Sequence, residues 1–327
     1  MHLKYVVVTG ANGFIGKHLC RALVESGREV TACVREQVDA SVFGDICGSL
    51  RVVRLPASGL GLDLSPILRN ADAVIHLAGR AHVMRETAED PLSEFRKVNV
   101  SGTERLALAA AQSGVKRFIY LSSIKVNGEA TDGRLFFADD RPGYCDPYGQ
   151  SKWEAEECLV QISAKTDMEW VIVRPPLVYG PEVRGNFLAL MKCVFRRIPL
   201  PIGSLHNCRS LVSVYNLCDL LCLLLDHPCA ANNRFLISDR EDISTPELVR
   251  RIAVALHCSA QIVRCPEAVL HIAGTLLRQN AAVQRLCSSL VLDKEKTSKC
   301  LGWSAPMILN VGLDRTAEWF LSRRQGQ

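Results

Sequence analysis

No stretch of this 327-residue chain approaches the ~20 consecutive apolar residues that a bilayer span requires, so no transmembrane helix is expected. The opening M-H-L-K-Y-V-V-V-T-G lacks the apolar core and small-residue cleavage site of a secretory signal, and a cytoplasmic location is expected. There is no C-x-x-C and no paired cysteine spacing among the 14 cysteines. They lie scattered in apolar stretches such as L-C-D-L-L-C-L-L-L, which reads as buried free thiols in a reducing compartment. Neither a disulfide framework nor a metal-ligand set is expected. The net charge of +5 is not gathered into a tract, which argues against a nucleic-acid partner and remains compatible with a small anionic substrate. Internal repeats and low-complexity segments are also lacking.

What is present is an alternation of strand and helix signals. A continuous β-branched run at 4–9 and mostly short apolar runs at 29–34, 51–55, 73–78, 117–122 and 170–174 have the character of strands buried on both faces. Helical stretches lie between most of them, notably 14–25, 91–113 and 148–163. This pattern predicts an α/β fold, a Rossmann-type doubly wound parallel sheet covered by helices on both sides. After Arg174 the pattern breaks. Five prolines between 175 and 201 surround one helical run, 187–196, and helices recur at 245–256 and 267–277 after a strand candidate at 234–237. Residues 1–180 are read as a dinucleotide-binding domain with a returning segment near 210–240. Residues 181–327 are read as mostly a smaller substrate-binding lid.

The first strand runs into T-G-A-N-G-F-I-G, which places Gly10, Gly13 and Gly16 between strand and helix. Glycine at these positions permits a tight turn, close backbone approach to a pyrophosphate and close helix packing, with the phosphates at the helix N-terminus. The second strand ends in T-A-C-V-R-E, so Val34 and Arg35 stand where an NAD site usually carries an acid. Arginine suits a 2′-phosphate, which makes NADP the preferred cofactor, while nearby Glu36 keeps NAD open.

Downstream, Y-G-Q-S-K sets Tyr148 and Lys152 one helical turn apart on a shared face, after a serine pair at Ser122 and Ser123. A phenol with an ordinary pKa near ~10 becomes a useful acid or base at neutral pH only when a positive charge stabilises its phenolate. Lys152 is expected to supply that charge and lower the Tyr148 pKa.

These motifs, in order, resemble an extended short-chain dehydrogenase/reductase of the branch that contains nucleotide-sugar epimerases, dehydratases and reductases. The resemblance runs almost end to end: T-G-A-N-G-F-I-G, Asp63, V-I-H-L-A-G at 74–79, N-V-S-G-T at 99–103, F-I-Y-L-S-S at 118–123, Y-G-Q-S-K, R-P-P-L-V-Y-G-P at 174–181 and L-G-W at 301–303. It implies that Ser123 is the catalytic hydroxyl, Tyr148 the acid/base and Lys152 the residue that binds the nicotinamide ribose. It further implies that Asn12, Phe14, Ile15, His76, Leu77, Ala78, Gly79, Asn99 and Pro175 line the cofactor, with Asp63 and Leu64 toward the adenine. Val83, Ser122, Asn186 and Arg209 are implied at the substrate, the last two at its diphosphate. A homodimer formed through the helices at 91–113 and 148–163 is also implied.

Departures from the family pattern narrow the chemistry. Sugar 4,6-dehydratases of the common type need an acidic pair just after the catalytic hydroxyl residue, and this chain has Ile124 and Lys125, which disfavours loss of water. Asn127, Leu177 and Asn216 replace residues common in the epimerases and are expected to alter the sugar pocket. The segments H-L-A-G-R-A-H-V-M-R-E, R-G-N-F and R-S-L-V-S-V most resemble bacterial 4-reductases that form UDP-linked N-acetylquinovosamine for surface polysaccharide such as O-antigen. The leading expectation is therefore NADPH-dependent reduction of a UDP-2-acetamido-4-keto-6-deoxy sugar. The alternative is a UDP-glucose or UDP-GlcNAc 4-epimerase using the same three residues. A reductase of steroids or flavonoids, suggested by the Val34-Arg35 pair, and a non-catalytic nucleotide-binding protein complete the list; retention of both Tyr148 and Lys152 counts against the latter.

Overall fold

The computed structural model describes residues 3–36, 38–44, 49–55, 63–81, 89–276 and 280–325. Seven strands form one parallel sheet: β1 Tyr5–Thr9, β2 Glu29–Val34, β3 Leu50–Arg54, β4 Ala73–His76, β5 Arg117–Leu121, β6 Glu169–Arg174 and, after the short pair β7 Leu177–Tyr179 and β8 Leu211–Ser213, β9 Asn233–Leu236. Their spatial order is β3-β2-β1-β4-β5-β6-β9, while β7 and β8 pair separately. Chain order reverses direction between β1 and β4, and in sheets of this kind the crevice beyond the carboxyl ends at that point receives the ligand. The fold is thus the expected Rossmann-type doubly wound sheet, followed by a C-terminal helical region.

The helices, in chain order, are α1 Phe14–Glu25, α2 Ser65–Leu68, α3 Pro91–Phe95, α4 Ser101–Gln112, α5 Pro147–Ser163, α6 Gly185–Phe195, α7 Val214–Asp226, α8 Thr245–Ala255, α9 Glu267–Leu276, α10 Asn280–Cys287, α11 Glu295–Leu301 and α12 Leu309–Gln325. One sheet face is covered by α1 and α7 through Leu19, Leu23, Leu217, Leu221 and Leu224. The other is covered by α4 and α5 through Leu106, Ala110, Ala155 and Leu159. Full burial of each such leucine contributes about 1.5–3 kcal/mol. A second core, centred on Phe187, Met191, Ile252 and Leu313, joins α6, α8 and α12. The C-terminus of α7 is fastened to the sheet by Arg117, whose Nη1 donates to the carbonyls of Leu224, Leu225 and His227 at 2.7–2.9 Å.

Two departures from the sequence pattern have visible causes. The expected helix at 91–113 is interrupted by a π-helical segment, Arg96–Val100, between α3 and α4. The wide turn directs Asn99 inward, where it is 1% exposed. The apolar L-C-D-L-L-C-L-L-L lies in α7, and α10, α11 and α12 were not foreseen at all. The thirteen cysteines among the described residues are free, but Cys145, Cys229 and Cys300 are exposed rather than buried.

The most demanding interaction in the sheet region is a buried ion pair. Arg174 at the end of β6 donates from Nε to Glu156 Oε1 at 2.9 Å and from Nη2 to Oε2 at 2.6 Å, and the two side chains are 1% and 0% exposed. Removing one member leaves an uncompensated buried charge. Arg174→Met should therefore lower unfolding stability by about 3–5 kcal/mol. Arg174→Met/Glu156→Leu should recover part of that loss in urea titration, and a double variant less stable than Arg174→Met alone would contradict this assignment.

Candidate active site

The switch-point crevice is walled by three loops brought into contact. Gly10 has φ of 69°, and a Cβ there would stand 2.8 Å from the Ala78 nitrogen, so the turn after β1 presses directly on the loop after β4. Gly79 in that loop borders Lys152, whose Nζ would lie 3.8 Å from a Cβ placed on it. Gly13 is the N-cap of α1 without a side-chain cap, leaving the amides of the first turn to the crevice, while Gly16 is buried. Asn12, Phe14, Ile15, Leu77 and Ala78 are half-buried around this path. A helix N-terminus without a side-chain cap, continuous with the Ala78-Gly79 backbone and ending at a lysine, fits an extended dinucleotide diphosphate.

At the adenosine end, Arg35 and Glu36 are both exposed immediately beyond β2. Asp63 is exposed; the Ser65 side chain, together with the Ser65 N–H that donates to it at 2.9 Å, holds its carboxyl below the usual range, and Leu64 beside it is half-buried. Val83 lies outside the described residues.

Ser123, Tyr148 and Lys152 meet at the far end. Ser123 follows β5 and caps the 3-10 turn Ile124–Val126, its Oγ accepting from the Lys125 N–H at 3.3 Å. Asp146 caps α5 by accepting from the Gly149 N–H at 2.6 Å, with Pro147 at the first helical position, which holds Tyr148 in the first turn. A Cβ on Gly149 would stand 2.6 Å from the Lys125 carbonyl oxygen, so glycine is what lets α5 approach the loop after β5. Tyr148 is hydrogen-bonded to the Ser123 side chain.

The electrostatics differ from the sequence expectation. Burial pushes the Tyr148 phenol up to about 12, against the pull of the Ser123 hydrogen bond and with a further push from Asp146. Lys152 is 4% exposed, donates to the Leu121 carbonyl at 2.7 Å and stands 4.2 Å from the Tyr120 ring centroid. Burial brings its pKa down to about 7, opposed by Glu156 one turn farther along α5. The ammonium is thus directed at a carbonyl and an aromatic face. Among the described residues, the Ser123 hydrogen bond draws the Tyr148 pKa downward.

Several other expected contacts are occupied by the protein itself. Ser122 donates to Glu156 and is 4% exposed, so its hydroxyl faces the buried ion pair rather than a substrate. His76 bridges Thr9 Oγ1 at 2.6 Å and Thr103 Oγ1 at 3.1 Å, and burial drives its pKa down to about 3, making it a neutral link between β1 and α4 rather than a cofactor contact. Asn99 accepts from the Arg80 N–H at 2.8 Å and donates to Arg80 O and Ser151 Oγ, tying the loop after β4 to α5. Pro175 is buried and its carbonyl accepts from the Ile124 N–H at 3.0 Å. Asn127 and Asn216 are both engaged by other parts of the chain. Asn127 accepts from Arg174 at 3.0 Å, and Asn216 exchanges hydrogen bonds with Asp239 and the Met307 backbone. Lys125, in the position of a dehydratase acid, is ion-paired with Asp146 and with Glu129 at 2.7 Å.

On the lid, Asn186 is exposed at the start of α6, and Arg209 donates from Nη1 to the carbonyls of Arg285 and Ser288, both at 2.9 Å. Burial and neighbouring Arg285 pull the Arg209 pKa down. Sequence reasoning missed Tyr120, whose ring lies under Lys152; its place two residues before Ser122 was the available signal. It also missed a lid grouping, Glu267, His271 and Cys287, whose ligand atoms lie within 4.8 Å of one another.

With this geometry in view, the comparisons with known proteins are decisive for the family. The profile of the NAD dependent epimerase/dehydratase family matches residues 6–238. A UDP-glucose 4-epimerase of Vibrio cholerae is 43% identical, over 97% of this chain and 96% of that protein. The chain belongs to the NAD-dependent epimerase/dehydratase family. Among solved structures, MoeE5 in complex with UDP-glucose and NAD is 28% identical to this family member, with a TM-score of 0.78, covering 98% of this chain and 99% of the other. The UDP-glucuronic acid 4-epimerase of Bacillus cereus, in complex with NAD, shares the fold with a TM-score of 0.81 at 22% identity, covering 99% and 98%. Among the described residues of this protein, no helix is long and apolar enough to cross a membrane.

The low pKa of Lys152 has a measurable consequence. Between about 7 and the ordinary 10.5 the unfolded chain holds a proton at this position that the folded chain has released, so this group's contribution to stability rises with pH across that window. Below it, Lys152 is charged in both states and the full cost of burying the charge remains. Compared with Lys152→Met in urea titrations, wild type should gain stability as pH is raised through this window. A pH-independent difference would show that Lys152 is not desolvated as described.

Proposed function

We propose that this protein is a UDP-sugar 4-epimerase that uses NAD and acts through Ser123, Tyr148 and Lys152. The observation that carries the reading is 43% identity, along almost the whole chain, to a UDP-glucose 4-epimerase, in a protein whose Ser123 and Tyr148 side chains are hydrogen-bonded beside Lys152. This displaces the NADPH-dependent 4-reductase as the leading reading. NAD-containing neighbours likewise favour NAD over NADP.

The mechanism follows from the residues. Tyr148 takes the proton of the sugar 4-hydroxyl and later returns it to the same oxygen, while Ser123 holds that oxygen by a hydrogen bond. Bound NAD would accept the C4 hydride and give it back after the keto sugar has turned over. Lys152 would hold the nicotinamide ribose, and the Gly10, Gly13 and Ala78 backbone would hold the diphosphate. Asn186 and Arg209 on the lid would hold the substrate diphosphate, a guanidinium being suited to phosphate oxygens. Elimination of water has no support, because Ile124 is buried and Lys125 is ion-paired. A homodimer through α5 and the helical run from α3 to α4 accords with Val98 of the π segment and Leu108 of α4, both 42% exposed.

The 4-reductase, with its role in surface polysaccharide, remains as the second reading because Arg35 stands exposed at the end of β2 where an NAD site usually has an acid. The two separate cleanly. Purified protein with NAD and no reductant should convert UDP-glucose or UDP-GlcNAc to its C4 epimer, followed by NMR. Tyr148→Phe should lower kcat about 10²–10⁴-fold. No epimerisation, together with stoichiometric loss of NADPH absorbance when a UDP-4-keto-6-deoxy-N-acetylhexosamine is supplied, would reverse the order of the two readings.

A further inference from the structure

Helix α9 turns its apolar stripe outward. Of its ten residues only Leu270 and Gly274 are buried, whereas Val269, Ile272 and Leu276 are 50%, 61% and 79% exposed. Positions 269, 272 and 276 fall at i, i+3 and i+7, on one side of the helix. Leu270 and Cys287 of α10 belong to the lid core, so the stripe cannot rotate inward without unpacking that core. Val263, 50% exposed, adds an apolar residue just before the helix. Isolated surface leucines are ordinary, but an ordered apolar helix face held outward marks a contact with something else.

The charge around the stripe says what that contact is. Arg264, three residues before α9, and Arg285, on the packed helix α10, are exposed, and the only acid among the described residues from 258 to 292 is Glu267, which lies 3.5 Å from His271. Apolar side chains bordered by arginines complement a bilayer surface with anionic headgroups: the former enter the acyl boundary while the guanidiniums meet phosphates. The chain as a whole carries +5, which favours approach to such a surface. From this we infer that α9 is a docking element for anionic membranes, laying the lid on the bilayer surface reversibly. Helix α10, which packs with α9 in the lid core, is joined to the candidate substrate site through Arg209, which donates to the carbonyls of Arg285 and, just past the helix, Ser288.

Flotation with phosphatidylglycerol-containing vesicles tests the inference independently of any activity. Wild-type protein should float with these vesicles, much less with pure phosphatidylcholine, and less as salt is raised. Ile272→Glu/Leu276→Glu should reduce the bound fraction at least about tenfold. The milder Ile272→Ser, with wild-type circular dichroism, should show an intermediate loss. Absence of wild-type binding, or equal binding by the double variant, would overturn the proposal. So would a larger oligomer of wild type that the double variant fails to form in sedimentation velocity, since the stripe would then be a protein contact.

Discussion

Glu156 has no exposed surface, yet it accepts hydrogen bonds from Arg174, Arg234 and Ser122, and this constraint orients much of the candidate site. Because Tyr148, Lys152 and Glu156 lie four apart along α5, they share one stripe of the helix. Clamping Glu156 to β6 therefore sets the rotation of the entire helix, and with it the direction in which Tyr148 and Lys152 point. The same Arg174 also donates to Asn127, binding the loop after Ser123 into the arrangement. A buried ion pair of this kind adds little net stability, since desolvation offsets most of the attraction; its contribution here is geometric.

Dryness is the second consequence. Half-buried Tyr148 is pushed to about 12 and buried Lys152 brought to about 7 chiefly by the same cause, desolvation, which disfavours phenolate and ammonium alike. The protein compensates the lysine with a carbonyl, an aromatic face and Glu156 at the next turn. The tyrosine receives the Ser123 hydrogen bond. Proton transfer at the C4 oxygen therefore depends on charge and hydrogen bonds that arrive with the bound molecules, among which oxidised nicotinamide carries a positive charge.

Features written in short, local patterns were legible from the residues alone. The glycine loop, the Tyr148-Lys152 spacing and the buried apolar runs each declare themselves within a few positions, and the parallel, doubly wound character of the sheet follows from their alternation. What could not be read depends on partners far away in the chain. Ser122 looked like a substrate contact because Glu156, its actual acceptor, lies 34 residues on, and Asn216 looked like a pocket residue because the Met307 backbone it holds is 91 residues distant. The π segment that turns Asn99 inward leaves no mark in an apolar period. Lys152 was assigned to Tyr148 on spacing and on the family resemblance, neither of which shows that its ammonium donates to the Leu121 carbonyl and stands over the Tyr120 ring. Arg35 illustrates a different limit: one exposed residue at a strand end was given weight that similarity along the whole chain outweighs.

The central claim is that burial, opposed by Ser123, keeps Tyr148 protonated in the ligand-free protein. Ultraviolet difference titration of the free protein, with Tyr148→Phe as the blank, measures this directly. The account predicts no Tyr148 phenolate through neutral and mildly alkaline pH, in line with a pKa raised to about 12. Phenolate forming near neutrality without any ligand would contradict it and would mean that Lys152 lowers the tyrosine on its own.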